Sequence, residues 1–374
     1  MRKTALLIGG GGGTGVLIAQ GLAEKGFEVT ILHRGVHEPP EIAGFRHLHA
    51  DPHFEEPVRE AVGAETFDLV VATYGRLATL AKIFSGACSR FLAVGGIPIY
   101  GGYLDPHSVR PSGMRLFSRE DAPLAAPQIM QPAGAANFAA KMIQAEQAVL
   151  AEHARGGYRA SLFRYPVVYG PRAISPSDWS VVRRVRDGRA FILLPNEGLG
   201  IITRCAAVNC AHAVLLAVDC PAAEGLVFNL ADDDQYSLRQ WVELSLELIG
   251  AEMEVIGLPV MLTWAASHLV PLSGTVTPHA IVDASLARQV LGYADARKAR
   301  DALAETLAWR LAHPPTEADA ASLADPFDYA LEDEVHERLR RFEADCEPIA
   351  RRAPPVHPYP HPKAPSLDVD HRGR

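Results

Sequence analysis

Apolar and polar positions along the first part of the chain alternate between short apolar runs and segments with helical spacing. Residues 4–8 (TALLI) form a run typical of a buried strand, and residues 14–25 carry apolar positions at helical spacing. Gly26 stands where a helix ends, and residues 27–32 (FEVTIL) form a second apolar run. A strand, a glycine turn, a helix and a strand in about thirty residues predict a βαβ unit with two parallel strands.

The same alternation continues to about residue 170. Further apolar runs predict strands, and one Ala-, Gln- and Glu-rich stretch predicts a long helix. The strands are expected at 45–51, 67–73, 90–96 and within 158–170, and the helix at 138–153. This order predicts an α/β fold with a Rossmann-like, doubly wound parallel sheet as a dinucleotide-binding domain over residues 1–172.

Beyond residue 172 the alternation loosens, as expected of a smaller C-terminal substrate lobe. We expect that lobe over residues 173–315, with parts that return to the first domain. A C-terminal helical extension over 316–374 contains a charged stretch at 325–348, which predicts an extra helix and a subunit or lobe contact. From about residue 353 the chain is proline-dense, which excludes helix and central strand and predicts a Pro-rich tail.

Composition narrows the functional classes. The chain has 374 residues and a formal net charge of −8, which argues against an extended nucleic-acid surface because phosphates require clustered Lys and Arg. No run of about 18 apolar residues occurs, so no membrane span is expected. Five cysteines without a CxxC pair indicate reduced thiols and a cytoplasmic protein.

Five consecutive glycines separate the first predicted strand from the first predicted helix. A dinucleotide loop needs glycine at its sharp turn, where backbone approaches pyrophosphate, and where the helix packs on the strand. Spacing to the second strand selects Gly9, Gly12 and Gly15 for these places. Gly13 and Thr14 complete the candidate cofactor loop, with the Thr14 backbone N–H facing phosphate. A flexible low-complexity turn is the alternative interpretation.

The end of the second strand bears on the choice of cofactor. NAD-preferring proteins usually place an acid there for the ribose hydroxyls, but this chain has His33 and Arg34. Arg34 can pair with a 2′-phosphate by charge-assisted hydrogen bonds, which favours NADP over NAD. The alternative is that Arg34 is simply solvated.

Further motifs follow the glycine loop. They are Asp51 after the third strand, AVGGIPIYGG (93–102), RYPVVYGPR (164–172) and DASLARQVLGY (283–293). Over about residues 4–312 the chain resembles the extended short-chain dehydrogenase/reductase superfamily, the NAD-dependent epimerase/dehydratase group. The resemblance implies that Asp51 and Pro166 lie at the cofactor. It also implies that Gly96, Tyr169 and Arg204 lie near the substrate.

The resemblance implies a catalytic set that this sequence lacks. In the family a tyrosine is the general acid/base, a lysine four residues later lowers its pKa, and a Ser or Thr orients the substrate oxygen. The serines normally close the fifth strand, and Gly95 and Gly96 stand in their place. The Tyr-Gly that follows them, Tyr100-Gly101, is kept.

The Tyr-x-x-x-Lys element is expected in the long helix, where two alignments remain open. Aligning on Glu146 places Phe138 at the tyrosine position and Met142 at the lysine position. Aligning on Lys141 places Asn137 at the tyrosine position. Neither alignment supplies a phenol, and general acid–base assistance of this kind is typically worth about 10²–10⁴-fold in rate.

Other groups are therefore candidates for the missing proton donor. Tyr100 and Lys141 are the first candidates for catalytic residues, because both lie close in sequence to the altered motifs. Tyr74, Tyr103 and Tyr169 follow predicted strands and are further phenols at the substrate side. For each of them a purely structural role is the alternative.

These features favour an atypical NAD(P)-dependent, NADP-preferring oxidoreductase or epimerase-like enzyme. It is expected to act on a small organic substrate, sugar-like or a secondary metabolite, with a non-standard proton donor. The alternative is a catalytically inactive NAD(P)-binding sensor or scaffold. A third interpretation follows from a similar glycine-rich start in chloroplast stem-loop RNA-binding proteins, and the acidic balance makes it the weakest.

The sequence indicates few binding partners and no metal site. The resemblance implies a possible homodimer, whereas the charge and the lack of a long apolar run predict no nucleic-acid and no membrane partner. No metal site is expected. Three tail histidines stand among prolines without accompanying Cys or carboxylate ligands; they are His357, His361 and His371.

Overall fold

The structure is a computed structural model that describes residues 2–36, 38–126, 135–173, 176–262, 279–316, 325–351 and 365. It divides into two compact units, Met1–Phe327 and Asp328–Arg374. The helices among the described residues are α1 (Gly13–Glu24), α2 (Glu55–Val62), α3 (Leu77–Ile83), α4 (Ala135–Ala154), α5 (Pro176–Arg186), α6 (Ala207–Val218), α7 (Leu238–Ile249), α8 (Ser285–Leu291), α9 (Ala299–Ala312) and α10 (Tyr329–Ala350). None of them is long and apolar enough to cross a membrane.

A seven-stranded sheet forms the centre of the first unit. Its strands are β1 (Thr4–Ile8), β2 (Glu28–His33), β3 (Arg46–His49), β4 (Phe67–Ala72), β5 (Cys88–Gly96), β6 (Arg159–Tyr165) and β11 (Val227–Asn229). They lie in the order β11-β6-β5-β4-β1-β2-β3, and every neighbouring pair is parallel. The predicted Rossmann-like, doubly wound α/β fold is confirmed.

Both faces of this sheet are covered, which explains the unbroken apolar runs of its strands. Successive side chains of a strand point to opposite faces. Leu7 accordingly packs in the core beneath α1 and α6, together with Ile18 of α1. Leu6 and Ile8 pack in the core on the other face, which receives α2, α3 and α4. All three strand residues are fully buried.

Three small parallel pairs accompany the central sheet. They are β7 (Val167–Tyr169) with β10 (Arg204–Ala206), β8 (Phe191–Leu194) with β12 (Glu254–Gly257), and β9 (Ile201–Ile202) with β13 (His279–Ala280). A separate core of Trp179, Trp241 and Leu303 joins α5, α7 and α9. Strand β11 comes from the part of the chain predicted to be the substrate lobe, and it pairs with β6 in the central sheet, as a segment that returns to the first domain does. The boundary at residue 172 stays a prediction.

Several element bounds differ from those expected. The segment 158–170, predicted to contain the sixth strand, holds two strands, because Pro166 has no N–H to donate and lies between β6 and β7. The sequence patterns also did not predict α2, α3 and α5. The charged stretch at 325–348 contains most of α10, whereas the Pro-rich tail lies outside the described residues except for residue 365. All five cysteines are free thiols.

Candidate functional site

A large cavity of about 1030 Å³ opens at the carboxyl ends of β1, β2, β4 and β6. The strand order reverses between β1 and β4, and such a switch point is where ligands bind in open α/β sheets. The glycine loop forms its floor, and the segment from Tyr165 to Val168 forms one wall. The end of α9 and the residues after it, from Trp309 to Thr316, also contribute to the lining.

Gly9, Gly12 and Gly15 of the glycine loop have different surroundings. Gly9 has φ +97°, and a Cβ there would lie 2.6 Å from Tyr74 Cβ. A Cβ on Gly12 would meet nothing within 4 Å, so this position faces open space. A Cβ on Gly15 would lie 2.5 Å from the Gly9 carbonyl oxygen and 2.8 Å from Gly10 Cα. The three positions match a sharp turn, an open approach to the backbone, and close packing of helix on strand.

The start of α1 is crossed by the chain that follows β7. A Cβ on Gly13 would lie 2.6 Å from the carbonyl oxygen of Pro171, so only glycine permits this approach. Next in the chain, Arg172 donates to the Glu41 carboxylate at 2.5 Å, and this bond holds the pKa of Glu41 below its usual value. The Arg172 guanidinium also lies 5.7 Å from the Trp309 ring centroid. The chain after β7 therefore passes close to the start of α1 beside the cavity.

The end of the cavity beside β2 carries a positive charge. Arg34 is exposed, lines the cavity and lies 5.9 Å from the Tyr74 ring centroid. Asp51 accepts bonds from the backbone N–H and the Nδ1 of His53 at 3.0 and 2.8 Å, which lower the pKa of its carboxyl. The His53 ring packs edge-on against Tyr74 at 4.8 Å. Asp51 is not among the residues that line the described cavity, and its contact with a cofactor stays a prediction.

Tyr100, a candidate proton donor, lies in a buried polar network. Its side chain is 1% exposed, and its hydroxyl donates to Asn229 Oδ1 and accepts from Arg164 Nη1, both at 2.7 Å. Arg164 forms a buried ion pair with Glu146 at 2.9 Å. Burial raises the pKa of Tyr100, and the neighbouring Arg164 opposes that rise. The residues found to line the cavity do not include Tyr100, so these contacts support a structural role.

The position expected to hold the catalytic serine and lysine is apolar. A Cβ on Gly96 would lie 3.1 Å from Met142 Cε, so these two residues face each other. Lys141 is exposed on α4, and Phe138 is 53% exposed. This arrangement agrees with the alignment on Glu146, in which Met142 takes the place of the lysine. The side chain of Asn137 lies outside the description, and no contact supports a catalytic role for Lys141.

Two residues predicted to lie near the substrate are buried away from the described cavity lining. The Tyr169 hydroxyl donates to Asp232 Oδ2 at 2.6 Å. The Arg204 guanidinium lies 4.6 Å from the Trp241 ring centroid, and burial lowers the pKa of Arg204 to about 10. Gly96 is likewise not a lining residue in the described part of the chain. Substrate contact by these three residues stays a prediction.

The predicted cofactor residues divide clearly. Six of them line the cavity; they are Gly9, Gly12, Gly13, Thr14, Arg34 and Pro166. The other two do not line it: Gly15 packs against Gly9 and Gly10, and Asp51 bonds to His53. The sequence did not indicate Trp309, Arg310 and His313, because helix periodicity does not tell which distant element the end of α9 meets.

Comparison with known proteins gives the fold a context. No family model and no curated protein matches the sequence. Among solved structures, UDP-glucose 4-epimerase from Thermotoga maritima with UDP-glucose is similar, with a TM-score of 0.65 and 16% identity over 82% of this chain and 98% of that one. dTDP-glucose 4,6-dehydratase from Bacillus anthracis in complex with NAD has a TM-score of 0.64 and 14% identity over 83% and 97%.

A third similar structure is UDP-glucuronic acid 4-epimerase from Bacillus cereus in complex with UDP-glucuronic acid and NAD. Its TM-score is 0.62, with 14% identity over 82% of this chain and 98% of that one. These neighbours are enzymes of the epimerase/dehydratase type, and the resemblance expected from the sequence motifs is confirmed at the level of the fold. At such identities the shared feature is the architecture, and the site of this chain has to be interpreted from its own residues.

Proposed function

We propose that this protein binds a nicotinamide dinucleotide in the cavity over the glycine loop and acts as an epimerase-like oxidoreductase on a small sugar-like substrate. One observation carries the proposal: a cavity of about 1030 Å³ runs from the glycine loop to the start of β7 at the switch point of the sheet. The three solved structures described above have this fold, and two of them hold NAD. The UDP-glucose and UDP-glucuronic acid bound in two of them suggest the substrate class.

The cofactor is proposed to be NADP in preference to NAD. Arg34 is exposed at the end of β2 and lines the cavity, where a 2′-phosphate can accept its charge-assisted hydrogen bonds. Replacing it removes this partner from NADPH and leaves the contacts of NADH in place. Arg34→Ala is therefore expected to weaken NADPH binding about tenfold or more, which is about 1.4 kcal/mol, and to change NADH binding little.

The chemistry must proceed without the tyrosine–lysine pair. In an alcohol oxidation the substrate carbon gives a hydride to the nicotinamide, and its hydroxyl proton passes to a base. Gly96 and Met142 offer no such base, and Tyr100 is held by Asn229 and Arg164. We propose a different proton acceptor, with turnover lower than that of a tyrosine-dependent enzyme by up to about 10²–10⁴-fold.

A second candidate is a dinucleotide-binding sensor or scaffold without catalysis. The contact between Met142 and Gly96 favours it, because an apolar pair fills the place where the family resemblance expects polar catalytic groups. Both candidates predict dinucleotide binding, and they differ in hydride transfer.

The binding test is a fluorescence titration of NADPH and NADH against the wild-type chain, Arg34→Ala and Arg76→Ala. Arg76 is the matched control, because it is an exposed arginine outside the described cavity lining. Loss of NADPH affinity in Arg34→Ala alone supports the NADP preference. If neither dinucleotide binds the wild-type chain at millimolar concentration, both candidate functions fail.

The catalytic test measures hydride transfer with a panel of UDP- and dTDP-sugars, with Tyr100→Phe beside the wild type. A second variant restores the missing groups by combining Gly96→Ser, Phe138→Tyr and Met142→Lys. Turnover by the wild type, whatever Tyr100→Phe does, supports the enzyme. Turnover by the triple variant alone supports the sensor or scaffold and contradicts a non-standard donor.

A further inference from the structure

Three histidines and one glutamate converge at the ends of β2 and β3. Their ligand atoms, one each from His33, Glu38, His47 and His49, all lie within 4.8 Å of one another. His33 Nε2 is 2.7 Å from His47 Nδ1, and His49 Nε2 is 2.7 Å from Glu38 Oε1. The two pairs are joined by a distance of 3.6 Å between His33 Nε2 and Glu38 Oε1.

The parallel sheet itself produces this convergence. In β3 the sequence His-Leu-His places His47 and His49 on one face, because side chains two residues apart point the same way. The register pairs His33 of β2 with His49, which brings the third ring to the same face. The rings of His47 and His49 lie 4.9 and 5.1 Å from the His33 ring. Glu38 reaches back from the loop after β2.

Each ring is oriented by a partner outside the cluster or by the glutamate. The Nε2 of His47 bonds to the Ile42 carbonyl oxygen at 3.0 Å, which leaves Nδ1 with its lone pair toward the cluster. An imidazole N–H held by a backbone carbonyl is the usual second contact of a metal-binding histidine. The Nδ1 of His33 accepts from the Gly35 N–H at 3.1 Å, so the inner proton lies between His33 and His47.

We infer that these four side chains form a binding site for a first-row divalent transition-metal ion of the zinc class. Three imidazole nitrogens and one carboxylate oxygen are donors that such ions take, commonly in a tetrahedron. At metal–ligand distances of about 2.0–2.1 Å, tetrahedral ligands lie about 3.3 Å apart. The observed separations of 2.7, 2.7 and 3.6 Å bracket this value.

Binding puts the cation in the place of the two protons that bridge the 2.7 Å contacts, and both contacts open by about 0.6 Å. Each bridging proton stays on its own imidazole and moves from Nε2 to Nδ1, at His33 and at His49. At His33 this shift gives up the bond from the Gly35 N–H.

The site lies beside the cavity but does not depend on a dinucleotide. His33 is the single member that also lines the cavity, and Arg34 follows it in the chain. A metal titration without cofactor consequently tests this inference, and a failure of dinucleotide binding leaves it untouched. A cation held here would place positive charge at the end of β2, beside the arginine proposed to receive the 2′-phosphate.

The experiment uses the full, untagged chain, stripped of metal and titrated with Zn²⁺ by calorimetry, with Co²⁺ as a spectroscopic probe. We expect one site per chain and visible Co²⁺ absorption bands of tetrahedral intensity. Glu38→Gln and His49→Gln change exposed side chains, and thermal unfolding verifies that both variants fold. Each is expected to weaken Zn²⁺ binding by at least about 10–100-fold, the loss that even an outer partner of a metal ligand brings.

A matched control replaces the tail histidines together, as His357→Gln, His361→Gln and His371→Gln. This control keeps the cluster and is expected to bind Zn²⁺ as the wild type does. The inference is overturned if Glu38→Gln and His49→Gln bind Zn²⁺ unchanged, or if the tail variant alone loses the site.

Discussion

Gly12→Ala is expected to separate dinucleotide binding from folding at the glycine loop. Gly12 precedes α1 with φ −86° and ψ 172°, a backbone conformation that alanine adopts without strain. A Cβ at this position would meet no protein atom within 4 Å. The added methyl group therefore projects into the space where the proposed pyrophosphate approaches the loop.

The folding cost of Gly12→Ala is close to zero because two small effects offset each other. Loss of glycine's freedom in the unfolded chain stabilises the fold by about 0.4–1 kcal/mol. Alanine is a poorer N-cap than glycine, which costs about 0.5–1 kcal/mol. The free energy of unfolding should thus change by less than about 0.5 kcal/mol, whereas NADPH binding should weaken at least about tenfold, or 1.4 kcal/mol.

Two further glycine variants act as controls for Gly12→Ala. Gly15→Ala places its Cβ 2.5 Å from the Gly9 carbonyl oxygen. This oxygen belongs to the backbone and cannot turn aside as a side chain can, so the free energy of unfolding should fall by about 1–2 kcal/mol. Gly44→Ala adds a methyl group in open space away from the loop and should change neither property. Urea unfolding and fluorescence titration of NADPH measure both quantities. Unchanged NADPH binding by a folded Gly12→Ala would refute the proposed position of the pyrophosphate.

Two further predictions concern buried charges. Glu146→Gln leaves the buried Arg164 guanidinium without its counter-ion. Urea unfolding should show the free energy of unfolding lowered by about 3–5 kcal/mol, and a change below about 1 kcal/mol would contradict this prediction. Burial raises the pKa of Asp295 to about 6, so the neutral carboxyl is the form that the fold favours. The stabilisation that the protonated Asp295 carboxyl gives to the fold is complete below about pH 3.8 and is lost as pH rises through 6. Asp295→Asn should therefore gain stability relative to the wild type between pH 4 and 7, and an unchanged difference in thermal unfolding across that range would refute this sign.

The central sheet could be predicted because its information is local. An apolar run of five or six residues between turns, as in β1 and β2, specifies a strand buried on both faces, and Gly26 marks the end of the intervening helix. Helices α2 and α3 have only eight and seven residues, which is about two turns. So short a segment does not show a clear helical periodicity in the sequence. The break between β6 and β7 at Pro166 could be predicted from the sequence, because proline has no N–H to donate to a neighbouring strand.

The candidate site was less predictable wherever partners come from distant parts of the chain. Tyr100 was a reasonable proton donor by its place after β5, yet its hydroxyl bonds to residues 129 and 64 positions away. The histidine cluster had a readable part, the His-Leu-His of β3, because alternate residues of a strand share a face. The remaining ligands come from β2 and the following loop, so only the strand register completes the set.

The ion pair of Arg164 and Glu146 bears directly on the two candidate functions. This ion pair joins β6 to α4, and Arg164 also donates to the hydroxyl of Tyr100, which follows β5. The end of β5 and helix α4, where the family resemblance expects the catalytic serine, tyrosine and lysine, are therefore held together without those residues. The backbone around Gly96 and Met142 is consequently fixed by contacts of Arg164, Glu146 and Tyr100 and not by a serine–tyrosine–lysine set. Met142 Cε is the flexible end of a side chain, so Gly96→Ser and Met142→Lys can be accommodated together. Failure of the triple variant to transfer hydride would therefore mean that the substrate region, and not only the lost proton donor, differs from that of a sugar-nucleotide epimerase.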